Sequence, residues 1–430
     1  MDQLKKLNDI ITFNFLNSNI NYDEINDFKL RIIKLMETEF EKPNYDLINY
    51  NLDKYFKCVI VKNNDYKGKI IYDKDNLVIP RGYKKKIKHL KKLNDLPQPE
   101  QRTPEWFDMR ETMLTASSAA KHIGESKYGK PKDTILEKMG YKPFIQNKYV
   151  HHGKKYEEIA TKLYENIFNV QINEYGLVQH QSKPQQLFIG ASPDGITNKY
   201  CLDNSFNKKL GRMVEIKCPY SRVIKTEGEI DGGIVTHDYW CQMQQQLECC
   251  DLELCDFWQC NIKEYFNRDE WLEDNEPTLS TEEQNIKKNI PVQCQKGMII
   301  QLLPKNKFNR NVYDAKYIYP KNLDINMFNY DQWVLDIIIN FDTKYRYITD
   351  NYVFDKILYW KLVNSHNVCV LRDKEWFKTN LPKYKKLWDE ITHLKDNPKD
   401  AEIFLNKYNK KKSKKPKYDA VPIFVDSDSE

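Results

Sequence analysis

The segment MVEIKC, residues 213–218, restricts what this chain can fold into more than any other part of it. Side chains alternate between the two faces of a β-strand, so Val214 and Ile216 point to one face and Glu215 and Lys217 to the other. The apolar face suits a sheet that packs against helices. A carboxylate beside an ammonium group is a poor choice for a purely structural buried strand, although an exposed strand face shows the same alternation. The pattern therefore predicts a strand and leaves the role of its polar face open.

A second carboxylate, Asp194, is expected beside this strand. It follows the apolar segment LFIGA in the turn SPDG, and a hairpin-like return of the chain can bring it next to Glu215. Two converging carboxylates repel one another unless a cation lies between them. Mg2+ takes oxygen ligands and keeps water molecules that can attack a phosphate. We therefore predict a Mg2+ site, with Mn2+ as a substitute, made by Asp194, Glu215 and the backbone carbonyl of Ile216. Lys217 would activate the attacking water or stabilise the developing phosphate charge.

Three further polar residues are candidates for the same site. Glu157 lies beside the apolar stripe of a helix predicted over residues 151–168, where it either reaches the metal or is a solvated flank residue. Gln242 and Gln244 lie on a helix predicted around residues 239–249. They either orient the water and bind phosphate, or belong to an ordinary polar helix face, and the pattern does not choose between these interpretations.

Arg110 and Ser117 form a separate predicted pair. Thr103 and Pro104 are a typical N-cap and first helical residue, so they predict a helix that carries Arg110. A guanidinium group can bind phosphate through two parallel hydrogen bonds. Ser117 falls at the predicted start of the next helix, where free backbone N–H groups favour anions. Together the two residues would bind a terminal phosphate. The alternative is a surface arginine and an ordinary N-cap.

These motifs resemble the lambda-exonuclease/YqaJ-type viral recombinase family, a branch of the PD-(D/E)xK nucleases. The matching segments follow the family's order between residues 100 and 265, and they are WFDMRETMLTAS, HGKKYE, SPDG, EIKCP and YWCQMQ. Several motifs in register are far more specific than PD and ExK alone, which occur together by chance in many unrelated chains.

The resemblance implies an α/β (α+β) fold with a restriction-endonuclease-like core, in which a mixed central sheet is flanked by helices. It implies Mg2+-dependent digestion of linear duplex DNA from its ends, 5′ to 3′, in the recombination, repair or replication of a large DNA virus. A single-strand annealing protein and further copies of the chain are the partners that it suggests.

The resemblance also assigns roles to the candidate residues. It makes Asp194 and Glu215 metal ligands and Lys217 the catalytic lysine. It makes Glu157 an accessory acid and metal ligand, and it makes either Gln242 or Gln244 the motif glutamine. Arg110 and Ser117 would form a pocket for the 5′ phosphate.

We predict that the chain divides into five segments. Residues 1–95 form an N-terminal unit of unknown role, and residues 96–265 form the nuclease core. Residues 266–349 are an insertion, and residues 350–400 are the closing strands and helix of the nuclease fold. Residues 401–430 are a disordered charged tail. Within the fourth segment, ILYWKLV, NSHN and VCVLRD predict a hairpin. The basic run that closes the first segment is either a solvated helix face or a contact to the phosphate backbone.

Composition narrows the protein class without revealing a function. No run approaches the roughly 18 uninterrupted apolar residues of a membrane span, and the N-terminus lacks the apolar block of a secretory peptide. We therefore expect a soluble, non-secreted protein of the host cytoplasm or a viral replication compartment. The net charge of +6 permits nucleic-acid binding without demonstrating it.

The ten cysteines are expected to be reduced in such a compartment. Five of them cluster in sequence, which suggests either ordinary core thiols or a metal–thiolate site: Cys241, Cys249, Cys250, Cys255 and Cys260.

Three other functions compete with an exonuclease. One is a catalytically inactive DNA-binding or scaffold protein that keeps the nuclease fold, although all the charged motif positions are intact. The second is a structure-specific endonuclease. The third is a RecB-like nuclease with an iron–sulfur cluster, which would need cysteine ligands.

Overall fold

The structure of the chain is a computed structural model. It describes residues 6–7, 25–45, 48–49, 52, 71–72, 78–79, 82–143, 145–181, 187–202, 204–274, 295–305, 311–321, 323, 329–345 and 350–413.

The described residues form both helices and strands. The helices are α1 (Ile25–Glu39), α2 (Tyr83–Asn94), α3 (Pro104–Glu111), α4 (Ala119–Ile123), α5 (Pro131–Lys138), α6 (Lys148–Phe168), α7 (His237–Cys250), α8 (Arg268–Glu273), α9 (Tyr330–Ile339), α10 (Phe341–Lys344), α11 (Lys374–Asp396) and α12 (Pro398–Ser413). The strands are β1 (Ile71–Tyr72), β2 (Val78–Ile79), β3 (Leu114–Thr115), β4 (Ile172–Asn173), β5 (Val178–Gln179), β6 (Ile189–Ala191), β7 (Gly195–Thr197), β8 (Met213–Lys217), β9 (Leu254–Glu264), β10 (Lys296–Pro304), β11 (Lys316–Ile318) and β12 (Tyr352–Leu371).

The chain forms two compact units. The first comprises Met1–Lys88 with Glu282–Pro291, and the second comprises His89–Thr281 with Val292–Glu430. In the first unit, α1 is described together with the antiparallel pair β1 and β2. All the candidate site residues belong to the second unit.

A seven-stranded sheet forms the centre of the second unit, in the order β11, β10, β12, β9, β8, β7, β4. Strands β8 and β9 are parallel, and the other neighbours in this sheet are antiparallel. A smaller sheet, β3–β6–β5, mixes one parallel and one antiparallel pair. The predicted fold class, a mixed central sheet flanked by helices, is confirmed.

Two apolar clusters hold these layers together. In the first, α6 packs on the apolar face of the central sheet and contributes Tyr156, Ile159, Ala160, Leu163 and Tyr164. In the second, α4, α5, α7 and α11 pack together and against the smaller sheet. Because Val214 and Ile216 belong to the first cluster, the predicted alternation of β8 is seen in the structure.

Helix α6 begins and ends where its sequence allows. The Asn147 side chain caps the first turn by accepting hydrogen bonds from the backbone N–H groups of Tyr149 and Val150. Asn169 ends the helix in the left-handed conformation, with φ of 49°. The apolar stripe of α6 faces the central sheet, as the sequence predicts. This orientation places Glu157 at the edge of the helix face that packs on the sheet.

The hairpin predicted after residue 350 is wrong. Residues 352–371 form one continuous strand, β12, with a register shift between Leu362 and Asn364 where the polar segment NSHN begins. The first half of β12 pairs with β10 and the second half with β9. An uninterrupted strand keeps both sets of backbone hydrogen bonds, which a turn would break.

The predicted disordered tail also needs correction at its start. Residues 401–413 belong to helix α12, because Ala401 and Phe404 pack against α11 in the second apolar cluster. Residues 414–430 lie outside the described residues.

The segment predicted as an insertion contributes to the central sheet. Its described part includes β10 and β11, which extend the sheet beyond β12. The five-segment division itself stays a prediction. Of the described helices, none is long and apolar enough to cross a membrane.

Candidate active site

Strand β8 brings two carboxylates together. It lies inside the central sheet, where Gly195 of β7 pairs with Val214. Asp194, one residue before β7, therefore lies across from Glu215, and its Oδ2 accepts a hydrogen bond of 2.7 Å from the backbone N–H of Ile216. The sheet register thus produces the approach of Asp194 to β8 that the sequence predicts.

The Glu215 carboxylate is fully buried and has a donor on each oxygen. Oε1 accepts from Gln242 Nε2 at 2.6 Å and lies 2.6 Å from Lys217 Nζ. Oε2 accepts from Gln246 Nε2 at 2.7 Å. Glu215 is therefore held in one orientation by helix α7 and by its own strand.

The negative charge of Asp194 is less well balanced by neighbouring cations and donors than that of Glu215. Burial raises the pKa of its carboxyl group well above the usual range, and the charges of Glu215 and Glu157 raise it further. Lys217 and the Ile216 N–H offset these effects only in part. The carboxylates outnumber the cations at this point, which is the charge arrangement of a cation site.

Lys217 is a cation in this arrangement. Burial by itself lowers the pKa of its amine, but Glu215, Tyr239 and Asp194 together outweigh burial and raise the pKa well above the usual range. The ammonium nitrogen also lies 4.6 Å from the centre of the Tyr239 ring. The raised pKa favours the ammonium form of Lys217, which can donate hydrogen bonds and stabilise negative charge.

Glu157 lies on the wall of the same cleft as Asp194. The cleft has a volume of about 430 Å3. Glu157 pairs with Arg102 at 2.7 Å, and Arg102 has a left-handed backbone with φ of 70°. The sequence contains no signal for this arginine, because the pair joins residues far apart in the chain.

The structure separates the two predicted glutamines. Gln244 donates from Nε2 to the Leu371 carbonyl at 2.9 Å, and its Oε1 accepts from the Asp373 N–H at 2.6 Å. It therefore joins α7 to the start of α11 and does not lie beside Gln242 at Glu215, and its predicted catalytic role stays a prediction. Residues four apart share a helix face, so Gln246 takes that place. The spacing of Gln242 and Gln246 was a signal that could have identified it.

The turn that carries Asp194 is fixed by residues the sequence did not single out. Trp106 Nε1 donates to Ser192 Oγ at 3.0 Å. Gln101 Nε2 donates to the Pro193 carbonyl at 3.1 Å. Helix α3 and the segment before it thus hold the turn, although nothing in their local sequence shows this.

Arg110 lies close to this turn through Trp106. Its guanidinium carbon lies 4.3 Å from the centre of the Trp106 ring, and burial lowers its pKa. Lys138 Nζ donates to the Arg110 carbonyl at 2.5 Å. Burial, more than any nearby charge, lowers the pKa of Lys138 to about 8. Two partly desolvated cations therefore lie within electrostatic range of each other, and the sequence identified only one of them.

Ser117 is exposed in a short 3-10 turn, Ala116–Ser118, that precedes α4. Helix α4 has only five residues and ends at Gly124, whose φ is 83°. The predicted role of a helix N-terminus is therefore weakened, since so short a helix has a small dipole. The Ser117 hydroxyl remains available as a hydrogen-bonding group.

The clustered cysteines do not converge on one site. Cys260 belongs to the apolar cluster under α6, whereas Cys241 and Cys249 belong to the cluster around α11. An iron–sulfur cluster built from these five thiols is therefore incompatible with the fold. Within the described residues, potential metal ligands outside the Asp194 site meet at Glu125, His237 and Cys241.

Comparison with known proteins identifies the family. The model of the YqaJ-like viral recombinase domain matches residues 105–253. Uncharacterized protein R354 of Acanthamoeba polyphaga mimivirus is 33% identical over 388 residues, which cover 86% of this chain and 67% of that protein. The chain belongs to the YqaJ-like viral recombinase family. The predicted family is confirmed, and the mimivirus relative supports the predicted viral origin.

Solved structures similar to this YqaJ-family chain include two of the alkaline exonuclease LHK-Exo from Laribacter hongkongensis. One is 26% identical, with 37% of this chain and 74% of that chain covered and a TM-score of 0.29. The other, a complex with dAMP, is 18% identical, with 70% of this chain and 100% of that chain covered and a TM-score of 0.34. A phage-related exonuclease from Haemophilus somnus 129PT is 14% identical, with 65% of this chain and 95% of that chain covered and a TM-score of 0.28. As a member of the YqaJ-like family, the chain is a nuclease of the lambda-exonuclease type.

Proposed function

We propose that this chain is a Mg2+-dependent exonuclease that hydrolyses DNA phosphodiester bonds from duplex ends in the 5′ to 3′ direction. The Asp194 carboxylate carries the proposal, because Glu215 and Glu157 oppose its charge and Lys217 offsets it only in part. A divalent cation would correct this imbalance. Carboxylate and carbonyl oxygens are ligands that Mg2+ accepts.

The residues present fit such a cation. Asp194, Glu215 and the Ile216 carbonyl would hold it, with Glu157 as an accessory acid or further ligand. Mn2+ accepts the same oxygen ligands. When bound, either ion supplies a water molecule of lowered pKa and offsets negative charge on the phosphate.

The chain's own residues supply orientation and charge. Lys217, as an ammonium group, would donate to the attacking water or to a phosphate oxygen and stabilise the charge that develops there. Gln242 and Gln246 would keep Glu215 in place by holding both of its oxygens. Each of these groups is positioned before substrate arrives, so little reorganisation accompanies the reaction.

A preference for 5′-phosphorylated ends is proposed from the cations beside the Asp194 turn. Arg110 and Lys138 are both removed from water to a large extent, so an anion that reaches either group would be attracted strongly. Ser117 would add a hydroxyl donor. A terminal phosphate carries more charge than an internal phosphodiester and would bind these groups better.

The decisive experiment compares three substrates with Mg2+ present: 5′-phosphorylated linear duplex, 5′-hydroxyl linear duplex and closed circular duplex. We expect release of nucleotides from the phosphorylated ends, slower release from the hydroxyl ends and no cleavage of circles. Asp194→Ala is the inactive control. Arg110→Gln should remove the difference between the two linear substrates while retaining part of the rate.

Two outcomes would overturn the proposal. Circles cut as fast as linear duplexes would identify an endonuclease. DNA binding without cleavage, unchanged by Lys217→Ala, would identify an inactive DNA-binding or scaffold protein.

We further propose a role in viral DNA recombination, repair or replication, in the host cytoplasm or a viral replication compartment. A single-strand annealing protein and other copies of this chain are the proposed partners. Family resemblance alone supports these roles.

A further inference from the structure

A second group of potential metal ligands lies at the start of helix α7, separate from the Asp194 turn. His237 and Cys241 are four residues apart and therefore share one helix face. Glu125, directly after Gly124, meets them there. One ligand atom from each residue lies within 4.8 Å of the other two.

The two distances from the imidazole nitrogen to the other candidate ligands are close to those of a tetrahedral site. His237 Nε2 lies 3.1 Å from Glu125 Oε2 and 3.4 Å from Cys241 Sγ. With metal–ligand bonds of about 2.0 Å to nitrogen or oxygen and about 2.3 Å to sulfur, a tetrahedral Zn2+ site separates N from O by about 3.3 Å and N from S by about 3.6 Å. Small adjustments of the three side chains would therefore accommodate the ion.

Two of the three candidate ligands are oriented by further charged groups. The other imidazole nitrogen, His237 Nδ1, lies 2.9 Å from Asp231 Oδ1. The other oxygen of Glu125, Oε1, lies 3.1 Å from Lys383 Nζ. A carboxylate behind a ligating histidine is the usual outer partner at protein zinc sites, where it fixes which nitrogen faces the metal.

The access and the charge of the group also suit a cation. The side chains of His237 and Glu125 are 32% and 38% exposed, so an ion and one water molecule can reach them. Cys241 forms the buried end of the group. Asp231 and Asp238 add negative charge near the thiol, and Lys383 balances part of it.

We propose that Glu125, His237 and Cys241 bind one Zn2+ ion, with water as the fourth ligand. Nitrogen, sulfur and carboxylate ligands in this number favour Zn2+ over Mg2+, which prefers oxygen alone. The ion joins the residue after α4 to the first turn of α7. Because Gln242 follows Cys241 directly, the ion also fixes the part of α7 that holds Glu215.

The competing interpretation is a metal-free network in which a protonated His237 bridges Asp231 and Glu125. Both carboxylates are within hydrogen-bonding distance of the ring, so this network needs no ion. In that network the Cys241 sulfur, 3.4 Å from His237 Nε2, is a hydrogen-bond partner and not a metal ligand. A measurement that detects metal–sulfur bonding therefore separates the two interpretations.

The test uses Co2+ as a spectroscopic probe for Zn2+ in the purified full-length protein. We expect about one equivalent of Co2+ to produce a sulfur-to-cobalt charge-transfer band with the visible bands of a tetrahedral site, and Zn2+ to displace it. Asp194→Ala should keep the band, which shows that it does not arise from the nuclease centre. Nuclease activity is not part of the readout, so this test and that of the proposed function can fail separately.

Matched variants locate the site. Cys241→Ala should abolish the band, whereas Cys249→Ala, which removes another buried thiol from the same helix, should keep it. Asp231→Asn should weaken Co2+ binding by about 10- to 100-fold while retaining the band. Glu125→Gln changes a partly exposed side chain and should weaken binding at least about 10-fold without affecting folding. A wild-type protein without the band, or a folded Cys241→Ala protein that keeps it, would overturn the proposal.

Discussion

Asp194 and Asp256 lie on either side of strand β8, and their surroundings differ in charge. Asp256, on β9, accepts hydrogen bonds from Tyr164 at 2.7 Å and from Arg212, and Lys209 lies 3.3 Å away. Burial alone would raise its pKa, but Lys209 and Arg212 outweigh burial and hold the pKa below the usual value. Asp194 faces other carboxylates instead, and its pKa is raised.

Under the proposed function, the difference separates a structural acid, Asp256, from a metal-binding one, Asp194. A buried carboxylate that serves the fold needs cations and donors around it, because an unpaired buried charge costs several kcal/mol. A carboxylate that binds a metal must be left partly uncompensated, since the ion supplies the missing charge. The charges of the neighbouring groups distinguish Asp194 from Asp256 more clearly than solvent exposure does.

The largest expected effect comes from removing the Asp194 charge. Asp194→Asn should lower the single-turnover rate of duplex digestion by at least about 1000-fold, because the cation loses a charged ligand. The rate is measured on a 5′-phosphorylated linear duplex at saturating Mg2+. A rate within tenfold of the wild-type value would remove Asp194 from the metal site.

The matching change on the other side of β8 should affect folding. Asp256→Asn leaves Arg212 and Lys209 without their carboxylate and should lower the free energy of unfolding by about 3 kcal/mol at neutral pH. Because the pKa of Asp256 is lowered in the folded state, its contribution is present above the unfolded pKa and is lost as the pH falls through the folded pKa.

Urea unfolding of wild type and Asp256→Asn at several pH values checks this prediction. The difference between the two proteins should shrink on acidification. If the folded variant were fully stable but inactive, Asp256 would belong to the catalytic group and the comparison would fail.

The glutamines of α7 offer a smaller test of the same contrast. Gln242→Ala removes a donor from Glu215 and should lower the nuclease rate about 10- to 100-fold. Gln244→Ala, its matched control, should leave the rate near the wild-type value and lower the unfolding free energy by about 1–2 kcal/mol, because a backbone N–H and a carbonyl lose their partner. Equal rate losses in both variants would contradict the separation of the two residues.

The smallest expected effect is on the thermal stability of the metal-free protein. The raised pKa of Asp194 means that the folded chain favours its protonated form, so ionisation above the unfolded pKa lowers stability as pH rises. Asparagine resembles the protonated form, and Asp194→Asn should therefore raise the melting temperature by about 1–3 °C in EDTA at neutral pH. Scanning calorimetry with and without Mg2+ measures this, and Mg2+ should stabilise only the wild type. A lower melting temperature for the variant would show that the carboxylate is well compensated.

Local features were predictable because each depends on residues close together in the chain. Thr103 caps α3 through the Trp106 N–H, and the stripe of α6 packs as its spacing predicts. The strand MVEIK also forms as expected. Hydrophobic period and capping chemistry act over a few residues, which is why the sequence alone reveals them.

The register between distant strands was not predictable in the same way. The segment NSHN contains typical turn residues, yet β12 continues through it because β9 pairs with these residues directly. Strand β10 pairs with the part of β12 that precedes them. Partners from other elements outweighed the local turn preference.

The sequence by itself determined the family, the alternation of β8 and the residues Asp194, Glu215 and Lys217. Only the tertiary structure decided which groups surround them: Gln246 rather than Gln244 at Glu215, Arg102 at Glu157, and Lys138 beside Arg110. It also separated Asp194 from Asp256, two aspartates whose local sequences give no sign of their neighbours' charge. The physical reason is that a carboxylate's pKa depends on charges within a few ångströms in space, and packing brings those charges from distant parts of the chain.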